Sequence, residues 1–160
     1  MPAPGIGLSE TARAASVALL QVRLAAAIDL NSQAKQAHWN VGGPRFLSLH
    51  KLFGVVAGEA GKHSDLIARR IAMLGGLVEG TARVAAKRSE LPVYPLGIRG
   101  AAAHTDALAE ALAGFGLSLR SAVDPAAAIG DHGTAEMLAE LTGNADRLLW
   151  LVDVYARGDT

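Results

Sequence analysis

The sequence predicts an all-α protein, a four-helix bundle with one long crossover. Three observations carry this reading. Ala and Leu dominate the 160 residues, and aromatic residues are only 4% of them. That composition is rich in helix formers and poor in strand formers. Breakers cluster at Pro2–Gly7, at Gly42-Gly43-Pro44, at Gly75-Gly76, from Gly80 through Pro92, Pro95, Gly97 and Gly100, and from Gly130 to Gly133. The four long segments between them are joined by short links, except that about 25 residues separate the second from the third, far more than a bundle turn needs. Short links make helices one–two and three–four antiparallel hairpins. The long one can run the length of the bundle and start helix three at the other end.

Each element has a local reason. Helix one is expected from Ser9, an N-cap residue, to Val41, with Val17, Leu20, Leu24 and Ile28 as its apolar stripe. Helix two runs from Phe46 to Leu74 and stops at a glycine pair suited to a C-cap. A short helix is expected in the crossover at Arg83–Ser89. Helix three starts near Ala101 and fades around Asp124-Pro125, because Pro125 lacks the N–H that the ladder requires. Helix four runs from Thr134, read as its N-cap, to Tyr155, with Met137, Leu141, Leu148 and Val152 on one face. Residues 1–8 are read as a flexible N-terminus, 9–157 as the bundle and 158–160 as the C-terminal end.

Composition narrows the function. Fifteen Lys+Arg balance fifteen Asp+Glu, which argues against a strongly cationic nucleic-acid binder. No Cys is present, so disulfides, thiolate metal sites and cysteine nucleophiles are excluded. No run approaches the ~18 consecutive apolar residues of a membrane span, and MPAPGIGLSE lacks the regions of a signal peptide. A cytoplasmic protein without a membrane partner is expected.

Helix two has two working faces on a helical wheel. Leu49, Phe53, Val56, Ala60, Ile67, Ile71 and Leu74 share one side, an ordinary core face. The opposite side carries His50, Gly54, Gly58, Gly61, Asp65, Arg69 and Ala72. Each glycine costs roughly 1 kcal/mol of helix stability against Ala, and small residues at this spacing admit another helix closely. Gly54, Gly58 and Gly61 are therefore expected at a contact with a second chain.

The Gly42-Gly43-Pro44 turn brings His38, late in helix one, toward His50, early in helix two. Two imidazoles at one end of a hairpin suit a metal ion, although capping and core hydrogen bonds are commoner uses. Asp65 shares the face of His50 but lies fifteen residues on, about 22 Å along the axis. One chain cannot bring both to one metal. An antiparallel partner helix would set Asp65 of one copy beside His50 of the other, with the two-fold near Gly58.

The runs HWNVGGPRFLSLHKLF and DLIARRIAMLGG resemble the Dps family of miniferritins, named for DNA-binding proteins of starved cells. Its pattern is HWN, a twelve-residue step to LH, then a fifteen-residue step to D-x-x-A-E-R-I and LGG. Here His38 to His50 is twelve and His50 to Asp65 fifteen. Gly80-Thr81, Tyr94-Pro95, Gly130-Asp131 with Thr134-Ala135, Asp146 and Leu149-Trp150 also fit. The resemblance implies a ferritin-like bundle, a hollow homododecamer built from two-fold dimers, and oxidation of Fe(II) between subunits with storage of ferric mineral. It implies His38 and His50 of one chain and Asp65 of the other as metal ligands. Trp39, beside His38, is expected to pack near that site.

The chain departs from the pattern at the fourth ligand. The family's Glu, four residues after the Asp, is Arg69 here. A guanidinium stays protonated and has no lone pair for a metal. It stands one turn from Asp65, where an i,i+4 ion pair is natural. At about 4 Å and an effective dielectric of about 20, one unit charge is worth roughly 4 kcal/mol before desolvation. Weaker dication binding is expected even after screening, with Zn(II) better suited than Fe(II) to a site held mainly by imidazoles. The alternative is a shell protein with little or no ferroxidase activity.

Other features are read as structural. Lys51 and Gly54 stand where relatives often carry acids that nucleate mineral. Glu59 and His63 are expected as a surface or core-edge pair, and His104 and His132 as exposed or capping residues. Residues 1–12 carry no Lys, the segment after Trp150 has only Arg157, and Arg83, Lys87, Arg88 and Arg99 make a modestly basic crossover. DNA binding is expected to be weak or absent.

Overall fold

A computed structural model describes residues 4–157. It contains five helices in chain order: α1 Glu10–Asn40, α2 Phe46–Met73, α3 Ala82–Arg88, α4 Ala101–Ile129 and α5 His132–Arg157. No strand occurs among the described residues. The C-terminal end assigned to 158–160, and the first three residues of the start, lie outside them. The architecture is the expected bundle, with α1–α2 and α4–α5 as hairpins and α3 in the crossover.

Local chemistry accounts for most boundaries. Ser9 caps α1, its hydroxyl accepting from the Ala12 amide at 3.1 Å. α2 ends in a Schellman arrangement: the Gly75 amide reaches Ala72 and the Gly76 amide reaches Ile71, both at 2.9 Å. Gly75 adopts φ 82°, which glycine enters without a Cβ penalty. A Cβ at Gly76 would sit 2.8 Å from Val17, so α1 fixes that residue by close approach.

Two boundaries differ from the sequence expectation. α4 does not fade at Pro125 but continues to Ile129 and a left-handed Gly130 at φ 92°. Leu119, Ala122 and Ala126 keep burying the apolar stripe across the proline, and Pro125 itself lies on the exposed side. Tertiary burial outweighs the one lost ladder bond. α5 begins at His132, two residues early, because Asp131 is the cap: its Oδ1 accepts from the Thr134 amide at 3.0 Å. Thr134 is thus the capped residue, and its hydroxyl donates to Asp131 Oδ2 at 2.5 Å.

The core runs along all four long helices. Leu20, Leu24, Leu49, Phe53, Ile67, Leu112, Phe115, Leu119, Leu141, Leu148 and Val152 are buried, and Val17, Ile28 and Met137 pack against its margin. By length and composition alone α1 is apolar enough to cross a membrane, but Leu20, Leu24 and Leu30 spend that apolar surface inside the bundle. The crossover is strapped to α1 by polar ties. Gln21 donates to the Leu77 carbonyl at 2.7 Å, Ser89 donates to Asp29 at 2.6 Å, and buried Gln33 donates to the Pro92 carbonyl at 2.8 Å.

A buried ion pair closes the far end. Arg70 of α2 donates to Asp131 Oδ1 at 2.6 Å and to the Thr134 hydroxyl at 2.9 Å. Burial opposes ionisation of Asp131, but the Thr134 hydroxyl and amide, the Ser16 hydroxyl and Arg70 outweigh it, and its carboxyl sits below the ordinary carboxylate range.

Candidate metal centre

The α1–α2 turn brings His38 and His50 into direct contact. Their rings stack with centroids 3.7 Å apart and planes 19° from parallel. His38 Nδ1 lies 2.6 Å from the His50 carbonyl, and His50 Nδ1 lies 2.8 Å from the His38 carbonyl. A carbonyl oxygen only accepts, so each neutral ring carries its proton on Nδ1 and keeps its lone pair on Nε2. This is the support that metal-binding histidines usually have. Sequence reasoning missed Phe46, which stacks on His50 with centroids 4.9 Å apart. The i,i+4 spacing of Phe46 and His50 was the available signal.

The three glycines do not share one role. A Cβ at Gly54 would lie 3.1 Å from His38 Cε1, and one at Gly61 would lie 3.7 Å from Asn31 Nδ2. Both therefore lie toward α1 of the same chain, and both remain half-buried. The Asn31 amide also donates to the Ala57 carbonyl at 2.7 Å, tying α1 to α2. Gly58 differs: nothing lies within 4 Å of its Cβ position, and it is exposed.

Asp65 and Arg69 are both exposed on α2. The ion pairs among the described residues do not include one between them, so the i,i+4 pair expected from the spacing does not form within the chain. No three His, Asp or Glu side chains among the described residues converge to hold a metal. Trp39 is 69% exposed, so the chain's own atoms cover little of its indole. Leu47, at 80% exposed, and Val55, Leu66 and Met73 leave further apolar surface on α2 uncovered.

Two histidine expectations are corrected. His63 is no surface or core-edge residue but is buried and stacked on Phe115, with centroids 5.5 Å apart. Burial lowers its pKa, with Glu59 pulling upward and Arg147 downward. Glu59 turns instead to Lys62 at 3.0 Å and Asn144 at 3.3 Å. His104 is also buried, 2.6 Å from the Tyr94 hydroxyl. An aromatic neighbour from another segment, Phe115 of α4 for His63 and Tyr94 of the crossover for His104, covers each ring, and the wheel of one helix does not show it. His132 is exposed, as expected.

Comparison with known proteins agrees with this architecture. The ferritin-like domain profile matches residues 17–157. The chain is 31% identical over 150 residues to the DNA protection during starvation protein of Agrobacterium fabrum, covering 94% of this chain and 93% of that one. Among solved structures it is similar to DpsC from Streptomyces coelicolor, with a TM-score of 0.90, 27% identity, and coverage of 95% and 89% of the two chains. It is also similar to Mycobacterium smegmatis Dps, with a TM-score of 0.87, 27% identity, and coverage of 93% and 90%. The chain belongs to the Dps family of ferritin-like miniferritins.

Proposed function

We propose that this protein binds and oxidises Fe(II) between two-fold-related subunits and sequesters the ferric product in a hollow homododecamer in the cytoplasm. Iron storage and protection follow from the family. The observation that carries the finer reading is the stacked His38–His50 pair, with both Nδ1 atoms bonded and both Nε2 lone pairs left for a metal. In this reading Asp65 of a second copy supplies the carboxylate that the single chain cannot bring to the pair. The exposed strip at Gly58, Val55 and Leu66 supports a close antiparallel helix contact there.

The chemistry balances with peroxide as oxidant. Two Fe(II) ions each give one electron, the O–O bond breaks, and two protons complete two waters. The protein's part is to hold the metal and to keep the oxidation inside a shell. Arg69 favours a second reading, a shell with little ferroxidase activity, because a cation replaces an oxygen ligand at the site.

Anaerobic Fe(II) titration of the iron-free assembly, followed by peroxide, tests the proposal. Saturable binding at one site per chain and oxidation faster than in protein-free buffer are expected. Their absence in a correctly assembled shell would leave the second reading. Light scattering tests the assembly itself, and a stable monomer of 16.5 kDa contradicts it.

A further inference from the structure

We infer that Phe46 is a positioning residue for the metal centre: its phenyl ring closes the second face of the His50 imidazole and holds Nε2 in its ligating direction. This rests on the metal reading of the His38–His50 pair proposed above.

The α1–α2 turn sets Phe46 in place. Gly43 takes φ 95°, a left-handed conformation open to glycine, and its carbonyl accepts from the Phe46 amide at 3.1 Å. Phe46 thereby becomes the first residue of α2, and His50 stands four residues on, along the same side of the helix. The two rings stack with centroids 4.9 Å apart and planes 29° from parallel. His38 stacks on His50 more closely, at 3.7 Å. Two rings on one face of an imidazole at those distances would touch each other. The ring contacts among the described residues include none between His38 and Phe46, so these two take opposite faces and His50 is the middle ring of three.

The contacts on His50 divide the task of holding it. The Nδ1 bond to the His38 carbonyl, at 2.8 Å, fixes one edge, but a single bond leaves the ring free to tilt. The stacked neighbours oppose that tilt from either side. An imidazole that ligates a metal through Nε2 becomes electron-poor, and such a ring gains by facing the negative face of a phenyl. The Phe46 contact is thus stronger in the loaded state than in the empty one. Phe46 is also 39% exposed, so the core does not depend on it. Its loss should therefore fall on metal affinity more than on folding. Apolar contact alone needs only volume at this position, whereas positioning needs a flat ring.

Zn(II) affinity of the metal-free assembly, read by competition with a chromophoric chelator, tests this. Phe46→Leu keeps an apolar side chain without a flat face and should weaken binding by about two- to tenfold, the worth of one aromatic pair. Phe46→Tyr restores the face and should bind as the parent does. Leu47→Ala trims the neighbouring side chain, which is 80% exposed, and should leave affinity unchanged; a loss there would report an effect transmitted through a second copy. With Co(II) in place of Zn(II), the visible bands should match the parent in Phe46→Tyr and shift in Phe46→Leu. Equal affinities for the parent and Phe46→Leu would overturn the positioning role, as would equal losses in Phe46→Leu and either Phe46→Tyr or Leu47→Ala. His50→Ala should remove the binding on which these variants are compared. Full affinity in His50→Ala would overturn the histidine site itself, whereas full affinity in Phe46→Leu overturns only the role of the phenyl ring.

Discussion

His38 and His50 hold each other: each ring donates from Nδ1 to the other's backbone carbonyl, at 2.6 and 2.8 Å, while the two imidazoles stack at 3.7 Å. The bonds join the last turn of α1 to the first turn of α2, so the same contact closes the hairpin and orients the rings. Gly54 makes room for it, since His38 lies where a Cβ would stand. The stacked pair is therefore preorganised by the fold of one chain, before any second copy arrives.

Gly54→Ala tests that preorganisation. The new methyl would meet His38 at 3.1–3.2 Å, closer than side chains ordinarily tolerate, and the ring must move by a few tenths of an ångström. Ala also favours the helix by roughly 1 kcal/mol over Gly, which offsets much of the steric cost. Thermal stability should change little, while Zn(II) affinity, read by competition with a chromophoric chelator, should fall by about tenfold, as when a supporting hydrogen bond is lost. Unchanged affinity would mean that the Nδ1–carbonyl bonds do not set the ligand geometry.

Gly58→Leu separates assembly from folding. Among the described residues, nothing beyond its own helical turn lies within 4 Å of the added Cβ, so the fold has no reason to object. A facing helix does, because overpacking a close contact costs roughly 1–3 kcal/mol. Sedimentation of the variant should show a shift toward smaller species with helicity retained. A full-sized shell would place the two-fold contact away from Gly58.

The far end of the bundle makes a pH prediction. Asp131 is 1% exposed and its native pKa is depressed. Its stabilising contribution is therefore complete above the unfolded-state value of about 3.9 and is lost as pH falls through the native pKa. Arg70→Ala leaves the carboxylate with Thr134 but without its cation. Breaking a buried pair costs about 3 kcal/mol, somewhat less here because Arg70 is partly exposed. Thermal melts should show a lower midpoint at neutral pH, with the acid loss of stability beginning at a higher pH than in the parent. Parallel pH profiles for the two proteins would assign the low pKa to the Thr134 and Ser16 contacts rather than to Arg70.

The bundle and the histidine pair were legible because both rest on spacing. Apolar residues at helical period named the buried face of α2 position by position, and two ends joined by a three-residue turn had to be neighbours. What surrounds the glycines within the chain was only half legible. A wheel shows that Gly54, Gly58 and Gly61 share a side of α2, but α1 covers its two flanking glycines and leaves the middle one bare. His63 and His104 were misread for a related reason: Phe115 and Tyr94, which cover them, come from other segments. Pro125 was judged by its missing N–H, whereas the buried stripe of Leu119, Ala122 and Ala126 decides the outcome.

Weak DNA binding is expected from charge. Contact with phosphates draws its affinity from released counterions, and the chain carries net charge +0. Of the crossover cations, Arg88 is already paired with Glu79. A gel shift at low salt should show at most a diffuse complex that disappears near physiological salt. A discrete complex that survives there would contradict the expectation and direct attention to Arg83, Lys87 and Arg99.

Arg69→Glu addresses the site most directly. Arg69 and Asp65 are exposed and unpaired with each other in the single chain, so the guanidinium is not committed to Asp65 until a second copy arrives. In the proposed dimer it would stand opposite a neighbouring His38–His50 pair, meet an incoming dication with a like charge, and compete for the Asp65 oxygens. The substitution removes the cation and adds a carboxylate, a change of two charges at one position. Each ~1.4 kcal/mol recovered is a factor of ten in rate, so the initial rate of peroxide-driven Fe(II) oxidation should rise by about an order of magnitude or more. Because Arg69 is exposed and belongs to none of the ion pairs among the described residues, the melting midpoint of the metal-free assembly should hardly move. His50→Ala in the Arg69→Glu background should abolish the gain if, as proposed, the two residues serve one site across the two-fold. Equal rates for the parent and Arg69→Glu would mean that Arg69 swings clear of the metal, with water taking the fourth position.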